Sequence, residues 1–470
     1  MATPGFVISA PQGRSGKTTV ALGLCAAFAK RGLAVQPFKK GPDYIDPSWL
    51  SAAAGRCCRN LDLFMMPPEG LIAAYNRALA DADLAVVEGA MGLYDGVDLA
   101  GSGSTAQLAR TLGLPVVLVV NSTRMTRSAA AMVSGYQRFE PDLRIAGVVF
   151  NNVAGARHES LLVQAIGEHC GLPVLGCLPK DDGLAIPERH LGLVPEGEID
   201  LLRAKVERAE RLVVEHLDLE AVLAVARPAT AACPSCTAGA DAAGRRVRLG
   251  VIRDRAFSFY YPDNLEALER AGAELVFVEA LRDRRLPKVA GLYIGGGFPE
   301  VFAAELEANE ALRRELAWAI EGGLPVYAEC AGLIYLSRRL HWQGRTYEMV
   351  GALPCDVAFT RRPQGHGYVA ATVAEANPFF SVGQVLRGHE FHYGRLENVG
   401  DVRLAYRLER GHGIGQKQDA IVYRNVLAGF THLHAVGTPG WAEAIVGAAR
   451  SAAGGTSELT AGSSHSLSMR

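Results

Sequence analysis

From Phe6 to about Val194, short apolar runs rich in β-branched residues alternate with stretches of helical periodicity. That is the pattern of βαβ units, whose parallel strands are covered on both faces. The clearest strand candidates are Phe6–Ser9, Leu84–Val87, Val116–Val120 and Ile145–Phe150, each followed by a loop rich in Gly, Asn, Ser or Glu. Ligands of open α/β sheets bind outside the carboxyl ends of the strands, so chemistry is expected in those loops. A second α/β series starts at Val247, with strands expected at Leu249–Ile252, Leu275–Val278, Gly291–Ile294 and Pro325–Ala328. It continues as β-like, His- and Gly-rich sequence to His434. Between the two series, Glu198–Val225 reads as charged helix and Arg227–Gly244 as an Ala-, Pro- and Gly-rich linker. The 470 residues are therefore expected to divide into a domain over 1–200, helix and linker over 201–245, a domain over 246–450 and a flexible tail over 451–470.

Composition narrows the function classes. Hydrophobic residues make up 49% and charged residues 21%, with a net charge of -1 and no basic stripe, so a folded chain with no nucleic-acid partner is expected. No apolar run approaches the roughly 18 residues of a membrane-spanning helix, and Met1–Gly5 leads into the first strand without a charged leader. The nine cysteines lack regular spacing. A reducing cytoplasmic compartment without membrane contact is the expectation. Cys57-Cys58 and the linker pair Cys233-x-x-Cys236 lack the further ligands a structural zinc site needs.

After the first strand, Ala10-Pro11-Gln12-Gly13-Arg14-Ser15-Gly16-Lys17-Thr18-Thr19 leads into the helical run Val20–Arg31. This resembles a P-loop in which Pro11 replaces the usual first glycine. Gly13, Ser15 and Gly16 offer backbone N–H groups to phosphate, Lys17 a point charge and Thr18 a hydroxyl for Mg²⁺, and Thr19 is expected among the nucleotide-binding residues with them. ATP and Mg²⁺ are the expected ligands. The ion needs carboxylates from neighbouring strand ends. Glu88 closes the strand Leu84–Val87, and Asp43 follows the strand Val35–Lys39. A helix-cap role is the alternative for each.

In the second series the strand Pro325–Ala328 runs into Glu329-Cys330-Ala331-Gly332 and a helical stretch. Small residues at 331 and 332 allow a sharp strand-to-helix turn that presents the Cys330 thiol. A free thiol is only about 3% ionised at neutral pH, and the helix N-terminus together with an imidazole is expected to lower the pKa of Cys330. "GFTHLHA" supplies His432 as the expected general base, with His434 on the same strand face. The glycines 295–297 follow a strand, as an oxyanion hole requires, and Gly296 and Gly297 are its expected donors. His389 and His392 read as loop or core residues rather than metal ligands.

In order, the segments "GRSGKTT", "FKKGPDYIDP", "RNLDLFMM", "VVEGAMGLYDG", "FSFYYPDNLEAL", "YIGGGFPE", "YAECAGLIYL", "EFHYG" and "FTHLH" resemble those of cobyrinic (or hydrogenobyrinic) acid a,c-diamide synthases over about residues 5 to 445. The resemblance implies an α/β chain of two domains, a dethiobiotin-synthetase-like P-loop domain and a class I glutamine amidotransferase domain. It implies that Cys330 and His432 release ammonia from glutamine, which passes internally to a tetrapyrrole carboxylate activated by ATP as an acyl phosphate. It also implies Lys40, Asp43, Tyr44, Asp46 and Asp95 as substrate-side residues, and leaves a homodimer open. Three departures stand out. Ala331 replaces an elbow glycine, which requires a negative φ. No carboxylate follows His432, where many triad amidotransferases carry His-Pro-Glu, so His434 is the expected orienting group. Trp49 and Leu50 in "DPSWL" replace the family's more usual residues and are expected to reshape the substrate pocket. Sirohaem or nickel-sirohydrochlorin is the alternative substrate. A P-loop switch with a non-catalytic second domain is a remote alternative.

Overall fold

The computed structural model describes residues 3–181, 183, 196–229 and 246–461. The chain forms two compact units, Met1–Cys236 and Thr237–Arg470. In the first, β1 (Pro4–Ser9), α1 (Lys17–Lys30), β2 (Val35–Lys40), α2 (Ile45–Ala54), β3 (Arg59–Leu61), α3 (Pro68–Ala78), β4 (Leu84–Glu88) and α4 (Thr105–Leu112) come first. There follow β5 (Val116–Asn121), α5 (Arg127–Phe139), β6 (Ile145–Val153), α6 (Ala156–Cys170), β7 (Val174–Pro179), α7 (Glu196–His216), α8 (Leu219–Val225) and β8 (Arg227–Pro228). The sheet order is β3-β2-β4-β1-β5-β6-β7, and every pair along that path is parallel. Central strands buried on both faces explain the unbroken apolar runs. Because β1 lies between β4 and β5, the loops after β1 and β4 meet at the point where the winding reverses, the usual ligand crevice. The two-residue β8 returns to pair antiparallel with the start of β1, Pro4 opposite Pro228 and Gly5 opposite Arg227.

Two expectations change here. The charged helix belongs to the first core, since Ala209 and Val213 of α7 are fully buried. A Cβ on Gly23 of α1 would come within 2.4 Å of Val213 Cγ2 and 2.6 Å of Ala209 O, so the glycine permits this close helix contact. The helical stretch also breaks before Asp218, whose carboxylate accepts from Ala221 N and caps α8. Trp49 and Leu50, expected in a substrate pocket, are 2% and 0% exposed and pack into the core with Leu24 and Phe28. Helical periodicity turns them inward, so they pack in the core instead of lining an open pocket.

The second unit runs β9 (Val247–Ile252), α9 (Pro262–Arg270), β10 (Ala273–Val278), β11 (Gly291–Ile294), α10 (Ala303–Ala308), α11 (Glu310–Glu321), β12 (Val326–Glu329) and α12 (Ala331–Leu336). Then come β13 (Arg339–Trp342), β14 (Arg345–Glu348), β15 (Asp356–Phe359), β16 (Gly365–Val373), β17 (Val385–His392), β18 (Gly394–Glu397) and β19 (Arg403–Arg410). β20 (Gln418–Tyr423), β21 (Val426–Gly429), β22 (His432–Leu433) and α13 (Trp441–Ala461) complete it. Ten strands form one sheet in the order β10-β9-β11-β12-β21-β20-β19-β16-β17-β22, and β14-β13-β15-β18 form a second. The parallel part, β10 to β21, puts the carboxyl ends of β11 and β12 side by side, with Ile294 opposite Ala328. α13 continues to Ala461, well into the segment expected to be a flexible tail. Cys233 and Cys236 lie outside the described residues. Among the described residues no helix is long and apolar enough to cross a membrane.

Candidate functional site

At the crevice of the first unit, Gly16 has φ +99° and caps α1. A Cβ there would come within 2.2 Å of Asn151 Nδ2, which donates to Ser15 O at 3.0 Å, so Asn151 at the end of β6 clamps the loop. Ser15 Oγ donates to Gln12 O (3.0 Å), Lys17 Nζ donates to Met91 O (2.6 Å) and Gln12 O (3.3 Å), and Thr19 sits in the first turn of α1. Around Gly13 the space is open, with nothing within 4 Å of an added Cβ.

Thr18 Oγ1 donates to Glu88 Oε1 at 2.6 Å, and the same oxygen accepts from Lys39 Nζ at 2.9 Å. Lys39 also donates to Asp46 Oδ2 at 2.5 Å. Glu88 is fully buried and its Oε2 has no hydrogen-bond partner. Burial pushes its carboxyl up to about 7 despite the Lys39 charge. Burial opposes the charge on Lys39 too, but Glu88, Asp46 and Asp43 outweigh it and hold the ammonium well above its ordinary value. Lys17 falls to about 8 through burial and Lys39 repulsion. Asp46, though burial opposes its charge, is held low by Lys39, while Asp43 is pushed up to about 6 by burial and Asp46.

Asp43 Oδ1 accepts from Ile45 N (2.8 Å) and Asp46 N (3.2 Å), so it caps the turn into α2, with Tyr44 just before that helix. Asp95 Oδ2 accepts from Gly92 N at 2.9 Å and shapes the loop after β4. Lys40, the lysine favoured from sequence, is buried, and burial pushes its pKa down against the pull of Asp62. It is Lys39 that enters the carboxylate cluster. The buried, unpartnered Glu88 oxygen beside a threonine hydroxyl at a helix N-terminus fits the oxygen chemistry of Mg²⁺ and a nucleotide phosphate. Among the described residues no group of three or more His, Cys, Asp or Glu forms a metal-binding cluster on its own.

In the second unit Cys330 stands between β12 and α12 with φ +49° and ψ -98°, a strained conformation for a non-glycine residue. Its N–H donates to Gly429 O at 2.7 Å, which ties the elbow to β21. Ala331 is not among the residues with positive φ, so the missing elbow glycine is tolerated. Burial is the main influence on the Cys330 thiol and pushes it up, with Glu300 and Glu329 adding to the effect. Burial thus opposes the lowering expected from the helix N-terminus, where the Ala331 N–H is the one donor that favours the thiolate.

His432 Nδ1 lies 3.4 Å from Glu329 Oε2. That carboxylate also accepts from Tyr293 Oη (3.2 Å), Tyr327 Oη (2.9 Å) and Leu433 N (3.1 Å). The acid beside the imidazole is thus the residue before the cysteine. His434 sits elsewhere, 4.0 Å from Asp263 and accepting from Val436 N at 3.2 Å. On the face of His432 the ring of His389 stacks at 4.9 Å and 19°. His389 is held well below its ordinary pKa by burial and the neighbouring histidines. A Cβ on Gly296 would come within 2.6 Å of His432 Cε1, and one on Gly297 within 2.1 Å of Ala256 O, so both positions require glycine. The Gly295 N–H is already donated to Tyr260 Oη at 2.8 Å, and Gly296 pairs with Phe259 in an antiparallel bridge, its O accepting from Phe259 N at 3.0 Å. Cys330 Sγ lies 3.9 Å from Phe391 O. His392 stacks on Phe430 at 3.6 Å.

Residues 6–194 match the CobQ/CobB/MinD/ParA nucleotide binding domain, and residues 248–439 the CobB/CobQ-like glutamine amidotransferase domain. The chain is 46% identical over 446 residues to the cobyrinate a,c-diamide synthase of Magnetococcus marinus, covering 93% of this chain and 96% of that protein. It is 41% identical to the enzyme of the same name from Methanosarcina acetivorans, with 95% of each chain covered, and 41% identical to that of Archaeoglobus fulgidus, with 92% and 95% covered. The chain belongs to the cobyrinate a,c-diamide synthase family. It is an enzyme, a glutamine-hydrolysing ligase, with a nucleotide-binding first unit. Three residues at the synthase's two sites were not singled out from sequence. Lys39 is distinguished from Lys40 only by strand alternation, Asn151 lies far along the chain, and Glu329 precedes the cysteine, whereas the His-Pro-Glu pattern puts the acid after the histidine.

Proposed function

We propose that this synthase amidates the a and c acetate carboxylates of cobyrinate in turn, with ATP to activate each carboxylate and glutamine to supply ammonia. Cys330 Sγ attacks the glutamine carboxamide as its proton moves to His432. Burial opposes the free thiolate, so His432 takes the thiol proton as the sulfur attacks. Glu329 holds Nδ1–H of His432, which leaves Nε2 for the reaction, and Gly296 and Gly297 receive the oxyanion. The imidazolium then protonates the departing ammonia. His432 next activates water to free glutamate from the thioester.

In the first unit, the loop Gly13–Thr19 and Lys17 hold the ATP phosphates, and the γ-phosphoryl group passes to the substrate carboxylate. Ammonia displaces phosphate from the acyl phosphate and leaves the carboxamide. Thr18 and Glu88, with Asp43 as a further oxygen donor, would hold Mg²⁺, which neutralises phosphate charge when bound. Lys39 keeps Glu88 and Asp46 in place, and Asp46, Tyr44, Lys40 and Asp95 are the substrate-side candidates.

The observation that carries this reading is the pairing in one chain of the buried, partly unpartnered Glu88 at the phosphate loop with the strained Cys330 beside Glu329–His432. The test is incubation with cobyrinic acid, glutamine, ATP and Mg²⁺, followed by mass spectrometry. Each exchange of OH for NH₂ lowers the mass by one unit, and two such steps are expected. ATP hydrolysis with no mass change on cobyrinic acid would sink the proposal, and the same change on sirohaem alone would move the substrate.

A further inference from the structure

Beyond the triad, the loop after β11 carries a carboxylate that the chemistry above does not use. Glu300 ends the segment Gly295–Glu300, which leaves the carboxyl end of β11 beside that of β12, where Cys330 stands. Two contacts fix the course of the segment. Phe298 N donates to Ala256 O at 3.1 Å, and Phe302 N donates to Pro299 O at 3.2 Å. Its start lies against the His432 imidazole, as the Gly296 clash shows. Glu300 Oε2 is buried and has no hydrogen-bond partner.

An unpaired buried carboxylate is costly unless a cation arrives to complete it. Burial pushes the Glu300 carboxyl up to about 7, offset only by a hydrogen bond from its own backbone. Its charge also raises the Cys330 thiol, as befits a carboxylate on the loop from the strand end next to that of Cys330. The ligand that reaches Cys330 is a free amino acid, and its one cationic group is the α-ammonium. We infer that Glu300 pairs with the α-ammonium of glutamine and so selects the free amino acid over other primary carboxamides. This rests on the glutaminase reading of Cys330 and concerns substrate selection, leaving the bond-breaking steps to Cys330 and His432.

The test compares glutamine with 5-amino-5-oxopentanoate, which has hydrogen in place of the α-ammonium, in full-length wild-type enzyme and Glu300→Gln. Loss of a charge-assisted hydrogen bond is worth about tenfold or more in binding. The wild type should therefore show a KM for glutamine at least about tenfold below that for the analogue, and E300Q should raise the glutamine KM by about that factor with little change for the analogue. Ammonia-driven amidation by E300Q reports that the fold is intact and should match the wild type. An unchanged glutamine KM, or equal discrimination in wild type and variant, would overturn the assignment of Glu300. Failure of the wild type to hydrolyse glutamine at all would instead overturn the reading on which it rests.

Discussion

The first unit crowds charge around its phosphate loop, whereas the second holds a neutral thiol and an imidazole against one well-satisfied acid. At the loop, Lys39 shifts with Glu88, Asp46 and Asp43 and repels Lys17, and two groups proposed to meet the ligand are bonded within the protein, Thr18 to Glu88 and Lys17 to Met91 O. Nucleotide binding there must exchange partners. At Cys330 the backbone strain, the bond to Gly429 and the four donors around Glu329 fix the geometry before any substrate enters. Charge balance governs one site and position the other, so substitutions should fail in different ways.

The largest expected separation comes from Cys330→Ala. Glutamine-driven amidation should fall by about 10⁴-fold, while amidation from high ammonia stays within about twofold of wild type. Equal loss with both nitrogen sources would make the thiol structural. Glu88→Gln should do the opposite, lowering amidation from either source by about 10²–10³-fold and sparing glutamine hydrolysis. A loss restricted to glutamine would break the division of labour. Glu329→Gln keeps the size of the side chain but removes the charge that orients His432. Glutaminase kcat should drop about 10²-fold with ammonia-driven amidation intact, and an unchanged kcat would leave His432 without its orienting acid. The smallest effect is one of pH. Because burial raises the Cys330 thiol, its thiolate fraction is low at neutrality. Alkylation of Cys330 by iodoacetamide should then rise about tenfold per pH unit from pH 7 to 9 without levelling. A plateau below pH 8, read by peptide mass mapping, would show a thiol activated before substrate arrives.

Features encoded over a few adjacent residues were legible in the sequence. The strand–loop–helix run around Gly16-Lys17-Thr18 and the elbow at Cys330 both fall where expected, with Gly16 at φ +99° and Cys330 at φ +49°. Long-range pairing was harder to read. Glu329 meets His432 only because β12 lies beside β21 and β22 follows it, a relation across 103 residues. Lys39 and Lys40 are adjacent on β2 and take opposite sides, which composition cannot rank. Trp49 stands next to a motif, which suggests a pocket position, yet burial of a large aromatic ring in the core outweighs nearness along the chain. The charged helix α7 concealed a narrow apolar stripe, Ala209 and Val213, that a mostly polar sequence obscures.

The pairing of β8 with β1 brings the entrance and exit of the synthetase unit to one place, Pro4 beside Pro228. A segment whose two ends touch can be rejoined by a short bridge and reopened at an exposed loop, so this half of the enzyme is suited to circular permutation. Its phosphate loop, which begins at the other end of the same strand, would keep its scaffold in such a rearranged chain.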